Sequence, residues 1–232
     1  MRLIITRPRI DAAPLAEKLV ALGHTALIMQ VLDIVPRDSV AVPHLPYQAI
    51  CLTSANGMRS LTVNLNRRIP VYAVGEQSAS IARALGFHNV EAAGGDVDGL
   101  VGHIATKLKP SEGPLLYLSG AETASDLEGQ LQKRGFDMTR VITYDAVQCA
   151  LDNHLNIIAS CDGVLLYSPR TAKLWCQDIQ RLQFSHVAEQ LRYFCLSAQV
   201  AKVLPQNWHR FVAKEPTEKS LLALLDLTNE AE

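Results

Sequence analysis

The chain has 232 residues, 48% of them hydrophobic and 19% charged, with a formal net charge of -1. Such a composition is globular and long enough for two domains of about 100 to 120 residues. The near-zero charge gives no general attraction to nucleic acid or a membrane surface, so an anionic ligand has to be met by local groups.

In chain order, residues 2–6 read as a strand, and Arg7-Pro8 turns into a helix from about Asp11, with Leu15, Leu19 and Leu22 on one face and Gly23 at its end. A second strand over 26–32 runs past Ile34-Val35 into a stretch punctuated by Pro36, Pro43 and Pro46, where regular structure is expected to fail. From Tyr47 the spacing predicts strands at 48–53, 70–74, 89–92, 114–118 and 138–144, alternating with helices at 55–65, 77–85, 97–108 and 123–134. After a second unpatterned stretch come strands at 162–167, 192–196 and 210–214 and helices at 170–180, 198–204 and 217–227. No apolar run approaches the roughly 18 residues of a membrane span, and the opening eight residues are too short for a signal peptide. A cytoplasmic protein is expected.

The two parts of the sequence repeat. Leu3-Ile4-Ile5-Thr6 through Leu15, Leu19 and Gly23 matches Leu115-Leu116-Tyr117-Leu118 through Leu127, Leu131 and Gly135 at a constant offset of 112. Ala49-Ile50-Cys51-Leu52-Thr53-Ser54 resembles Gly163-Val164-Leu165-Leu166-Tyr167-Ser168, and the run from Val71 to Ala79 pairs with that from Tyr193 to Ala201. The middle block carries five strands and closes a sheet alone, whereas the ends carry two and three and complete each other. The expected fold is therefore α/β: two doubly wound parallel-sheet, flavodoxin-like domains with an internal duplication, joined by a two-stranded linker. A discontinuous terminal domain takes 1–35 plus 153–232, an inserted domain takes 47–145, and the linkers are 36–46 and 146–152.

Open parallel sheets gather ligands at the carboxyl ends of their strands. Here those ends carry Thr6, Arg7, Thr53, Ser54, Asn56, Gly75, Ser78, Ser119, Gly120, Ser168, Pro169, Arg170 and Ser197. Hydroxyls and uncapped helix amides of this kind suit an anion or a polar ligand edge, and a hinge between two lobes would give them a cleft. No dinucleotide or Walker glycine loop and no Gly-x-Ser-x-Gly elbow is present. The five cysteines are far apart and read as reduced core residues, and the seven histidines are too scattered for a metal site. The residues alone leave three readings open: an enzyme of unstated reaction, a non-enzymatic two-lobed sensor for a small anion, and a sugar-phosphate isomerase that would want a base in the cleft.

The segments Ile4-Ile5-Thr6-Arg7-Pro8, Leu52-Thr53-Ser54-Ala55-Asn56-Gly57, Ala73-Val74-Gly75-Glu76-Gln77-Ser78-Ala79, Val141-Ile142-Thr143-Tyr144, Leu166-Tyr167-Ser168-Pro169 and Glu215-Pro216-Thr217, in this order and spacing, resemble the uroporphyrinogen-III synthase family over nearly the whole chain. The resemblance implies a cofactor-free lyase acting on hydroxymethylbilane, a linear tetrapyrrole with eight carboxylates. It also implies that no metal is used, that the protein is monomeric, and that the substrate is handed over by hydroxymethylbilane synthase. Tyr144 matches a family tyrosine considered as proton donor to the departing hydroxyl, a task for which a phenol is suitably protonated near neutrality. Thr53 and Ser78 match family hydroxyl positions, and Arg7, Arg170 and Lys173 are candidates for meeting carboxylates. Ser197 and Val200 stand where a glycine and a threonine are common in the family.

Overall fold

The structure is a computed structural model that describes residues 1–229, with side chains described as far as Asp226. The chain divides into two compact units, one formed by Met1–Asp33 with the residues from Val147 onward, the other by Ile34–Ala146.

Strand β1 (Arg2–Ile5) turns at Pro8, whose φ of -51° is already helical, into α1 (Arg9–Ala21). That helix buries Ala12, Leu15 and Leu19 and stops where Gly23 adopts a φ of 81°. There the N–H of Gly23 reaches the Val20 carbonyl and that of His24 the Leu19 carbonyl, each at 3.0 Å. β2 (Thr25–Ile28) and β3 (Leu32–Pro36) follow. Next come β4 (Ala49–Leu52), α2 (Ala55–Arg59), β5 (Val71–Ala73), α3 (Glu76–Ala84), β6 (Val90–Ala92) and α4 (Val97–Lys107). The middle of the chain ends with β7 (Leu115–Gly120), α5 (Leu127–Gln132) and β8 (Met138–Gln148). After a short α6 (Leu155–Ile158), β9 (Gly163–Leu166), α7 (Pro169–Arg181), α8 (Ser185–Ala188), β10 (Arg192–Cys195), α9 (Ala198–Ala201), β11 (His209–Val212) and α10 (Glu218–Asn229) complete it. None of the described helices is long and apolar enough to cross a membrane.

One sheet has the order β11-β10-β9-β1-β2 and the other β3-β8-β7-β4-β5-β6. The fold is thus α/β with doubly wound parallel sheets, and the duplication seen in the sequence reappears as strand register. Leu3 pairs with Ala26 and Gly163, and Leu115 pairs with Met138 and Ala49, the same partners under offsets of 112 and 114. Tyr193 opposes Val164 as Val71 opposes Ile50. Even the helix ends agree, since Gly135, with a φ of 86°, and Phe136 reach the Gln132 and Leu131 carbonyls as Gly23 and His24 reach theirs. The first unit thus takes two strands from the start of the chain and three from its later part, whereas the second is built from the continuous stretch Ile34–Ala146, with β3 as a sixth strand.

Both faces of each sheet are covered, which is why the central strands read as unbroken apolar runs. In the first unit Leu3 and Ile5 face α1 and α10, while Ile4 on the alternate face joins Val164, Leu166, Trp175 and Tyr193. In the second unit Ile50, Leu52, Leu116 and Leu118 lie on one side, and Cys51, Leu115, Tyr117, Leu127 and Leu131 on the other. Each fully buried aliphatic side chain contributes about 1.5–3 kcal/mol. All five cysteines are free thiols, and burial pushes Cys51 and Cys195 up to about 12, which leaves them chemically quiet.

Several elements differ from the sequence expectation. The helix expected over 55–65 stops at Arg59, because Thr62 and Val63 are β-branched and Asn64 and Asn66 are poor helix formers. The helix expected over 123–134 starts only at Leu127, where the Asp126 carboxylate accepts from the Gly129 N–H at 2.8 Å and fixes the first turn. The stretches expected as linkers are partly regular: Pro36 ends β3, β8 runs to Gln148, and Leu151 is fully buried in the core of the first unit. β3 lies beside β8, so Pro36 sits on an edge strand, where its missing N–H costs no ladder bond.

Leu151 is held there by Asp178, which is buried and accepts its N–H at 3.0 Å. The same carboxylate meets Arg181, whose guanidinium also grips Asp152 through two bonds of 2.8 Å and holds that carboxyl below its ordinary range. Asp178→Ala is expected to lower the unfolding free energy by about 2–3 kcal/mol, because it leaves the Leu151 N–H buried without an acceptor. Urea titration checks this, and an unchanged midpoint would show that another acceptor takes over.

Candidate functional site

The carboxyl edge of the second unit begins where β4 leaves the core. Leu52 is fully buried, Thr53 and Ser54 are half-buried, and the Ser54 hydroxyl caps α2 by accepting the Asn56 N–H at 3.3 Å. α2 lies almost flush on β7: a Cβ at Gly57 would fall inside contact distance of the Leu118 carbonyl oxygen. The Thr143 hydroxyl locks the same corner by donating to the Gly57 carbonyl at 2.9 Å. The Asn56 side chain is engaged by Arg59 at 3.3 Å. One strand over, Gly75 is the N-cap of α3 and supplies no side chain, and Ser78 in the first turn is buried.

β7 and β8 carry the denser arrangement. The Thr53 hydroxyl lies 2.9 Å from that of Tyr117, which is 1% exposed and whose phenol burial pushes above its ordinary range. On β8, Arg140 sits directly opposite Tyr117, its guanidinium 6.0 Å from the ring centroid. Arg140 Nε donates to the Ser119 hydroxyl, and Nη2 donates to the carbonyls of Gly120 and Ala121, all at 2.9 Å. The register slips between Ser119 and Gly120, so that Gly120 faces Tyr144. Such slips re-aim side chains beside sites. The Tyr144 ring lies across Gly120 so closely that a Cβ there would come within 2.7 Å of it, and the Tyr144 carbonyl accepts the Ala121 N–H at 3.0 Å. Tyr144 is 8% exposed.

The first unit presents the equivalent edge differently. Arg7 stacks over Tyr167 at 4.4 Å and lies 3.4 Å from Asp11 and 3.5 Å from Glu218, so its charge is met within the chain. The Thr6 hydroxyl is fully buried and donates to the Leu165 carbonyl at 2.8 Å. The Ser168 hydroxyl caps α7 on the Thr171 N–H at 3.1 Å, with Pro169 as the first helical residue. The Ser197 hydroxyl caps α9 on the Val200 N–H at 3.4 Å. Arg170 is half-buried in the first turn of α7, and Lys173 is exposed on that helix.

The expected site residues thus fall on strand ends and helix starts, but with unequal freedom. Thr6 and Ser119 spend their hydroxyls inside the protein, the one on a carbonyl and the other on Arg140. The structure ties Ser119, Gly120 and Tyr144 together through Arg140, and Thr53 to Tyr117. Sequence reading missed Tyr117, Arg140 and Thr143. Arg140 had left a trace, being a charge in the middle of a strand otherwise apolar enough to be buried on both faces.

The sequence profile described as uroporphyrinogen-III synthase HemD matches residues 13–223. Among curated proteins none matches the chain. Among solved structures, the uroporphyrinogen-III synthetase of Helicobacter pylori superposes with a TM-score of 0.68 at 21% identity, covering 98% of this chain and all of its own. A mutant uroporphyrinogen III synthase of Thermus thermophilus gives 0.60 at 17% identity with both chains fully covered. These two structures share the fold, and the profile matches most of the chain and reaches into both units, so the chain belongs to the uroporphyrinogen-III synthase family.

Proposed function

We propose that this chain converts hydroxymethylbilane to uroporphyrinogen III. The terminal hydroxyl leaves with a proton as water, and ring D attacks through its substituted carbon to give a spiro intermediate. That intermediate reopens and closes the macrocycle with ring D inverted. The family match over 13–223 carries this reading. The chemistry of the strand ends agrees with it. The linear substrate cyclises unaided to the wrong isomer, so the protein's task is to hold reacting carbons in one orientation, an effect estimated at about 7–11 kcal/mol in well-oriented systems.

A polyacid can be gripped by amides at helix starts, each contributing about 0.3–1 kcal/mol where exposed. Gly75, the N-cap of α3, brings no side-chain cap to that helix start. On this reading Tyr144 gives the departing hydroxyl its proton, and Thr53, Ser54, Asn56, Ser78, Gly120, Ser168, Pro169, Arg170 and Ser197 line the strand ends that receive the substrate. The protein then works as a cytoplasmic monomer that takes its substrate from hydroxymethylbilane synthase, with no cofactor.

Purified protein given enzymatically generated hydroxymethylbilane, in buffer free of metal and nucleotide, is expected to yield the type III isomer. Chromatography of the oxidised product reads the outcome. Type I alone would remove the assignment.

A further inference from the structure

Each unit sets an arginine against a tyrosine, Arg7 after β1 over Tyr167 after β9 in the first and Arg140 on β8 against Tyr117 on β7 in the second, and the two pairs differ in one respect. Arg7 over Tyr167 is neutralised by Asp11 and Glu218. Arg140 over Tyr117 has no carboxylate within ion-pair distance among the described residues. Its Nε and Nη2 are spent on Ser119, Gly120 and Ala121, and no described residue accepts from Nη1. The guanidinium is therefore held from one side by three neutral acceptors, with the two N–H groups of Nη1 and a full positive charge left over. Arg140 is also among the residues lining an open cavity of about 420 Å³, with Arg37, Asp38, Ser39, Thr139 and apolar residues of the same unit. Arg37 is already paired with Asp145 at 2.7 and 2.8 Å.

We propose that Arg140 binds a carboxylate of the linear tetrapyrrole and so fixes one acidic arm of the substrate beside Tyr144. This rests on the functional reading given above. A partly buried guanidinium is costly to leave without a counter-charge, and a charge-assisted bond from Nη1 to a carboxylate supplies one. The bonds to Gly120 and Ala121 also connect this grip to the strand slip that aims Tyr144, so occupation of Nη1 would stiffen the backbone against which the phenol rests. The same logic ranks Arg7, one of the three cations expected from the sequence to meet carboxylates, behind Arg140, since Asp11 and Glu218 already occupy it.

The test compares Arg140→Gln and Arg140→Lys with the wild-type chain by steady-state kinetics at several salt concentrations. Gln retains an amide able to donate to the backbone carbonyls but loses the charge, and Lys retains the charge but loses the planar donors that hold Ser119, Gly120 and Ala121 while Nη1 faces outward. The Gln variant is expected to raise KM at least tenfold and to flatten its rise with salt, with Lys intermediate in both. A KM within twofold of wild type in the Gln variant, or a fall in kcat alone with unchanged salt dependence, would overturn the proposal and leave Arg140 as a brace. If the wild-type chain forms no type III isomer, the functional reading fails instead, and the two failures are separately visible.

Discussion

Tyr144→Phe is expected to lower kcat by about a hundredfold or more while changing KM little, as removal of a general acid does. The slip after Ser119 turns Gly120 toward Tyr144, and the absence of a side chain at Gly120 lets the ring lie flat on the strand. Arg140 fixes the carbonyls of Gly120 and Ala121, and Ala121 returns a hydrogen bond to the Tyr144 carbonyl. The ring therefore rests against a strand whose backbone is fixed, and Phe should fill the same space. Stability close to wild type with a large loss of turnover would identify the hydroxyl as the part that acts. Unchanged turnover would reduce Tyr144 to packing, and the departing hydroxyl would then need a proton from elsewhere.

Gly57→Ala is expected to be among the most destabilising single-methyl changes in the second unit, at about 3 kcal/mol, the upper end of the usual cost of overpacking. The added carbon would meet the backbone oxygen of Leu118, which cannot rotate away as a side chain would. Relief requires α2 to lift from β7, which breaks the Thr143 bond to the Gly57 carbonyl and moves Ser54 and Thr53 with the helix. Thermal denaturation should show the loss. Any protein that remains folded should turn over more slowly than its folded fraction accounts for. A melting temperature equal to wild type would mean that the corner is looser than its hydrogen bonds indicate.

Much of this fold is legible in the sequence because both copies of the repeat use the same physical devices. Leu15, Leu19 and Gly23 recur as Leu127, Leu131 and Gly135, and both sets make the same buried face and the same left-handed helix end. The boundaries were harder to read where local chemistry competes with the pattern. α2 ends early on β-branched and asparagine residues, and α5 starts late on the better cap, Asp126. Leu151 looked like part of a polar linker, yet a buried carboxylate on a distant helix draws it into the core.

The candidate site was less legible, because its decisive features depend on strand neighbours that no local pattern shows. That Thr6 and Ser119 are spent internally depends on Leu165 and Arg140, which are 159 and 21 residues away along the chain. Whether an arginine is neutralised depends on the same long-range pairing. Arg7 stood out in the sequence through the turn it occupies, but Asp11 and Glu218 take its charge. Arg140 was hidden in a strand, and only the register opposite Tyr117 shows where its guanidinium goes.

The central claim is that this protein decides which end of ring D closes the macrocycle. The direct measurement is the isomer composition of uroporphyrinogen formed from hydroxymethylbilane as enzyme is raised from catalytic amounts to an excess over substrate. The type III fraction is expected to rise with enzyme until almost no type I remains. A composition equal to that of the enzyme-free reaction at every enzyme concentration would contradict the account.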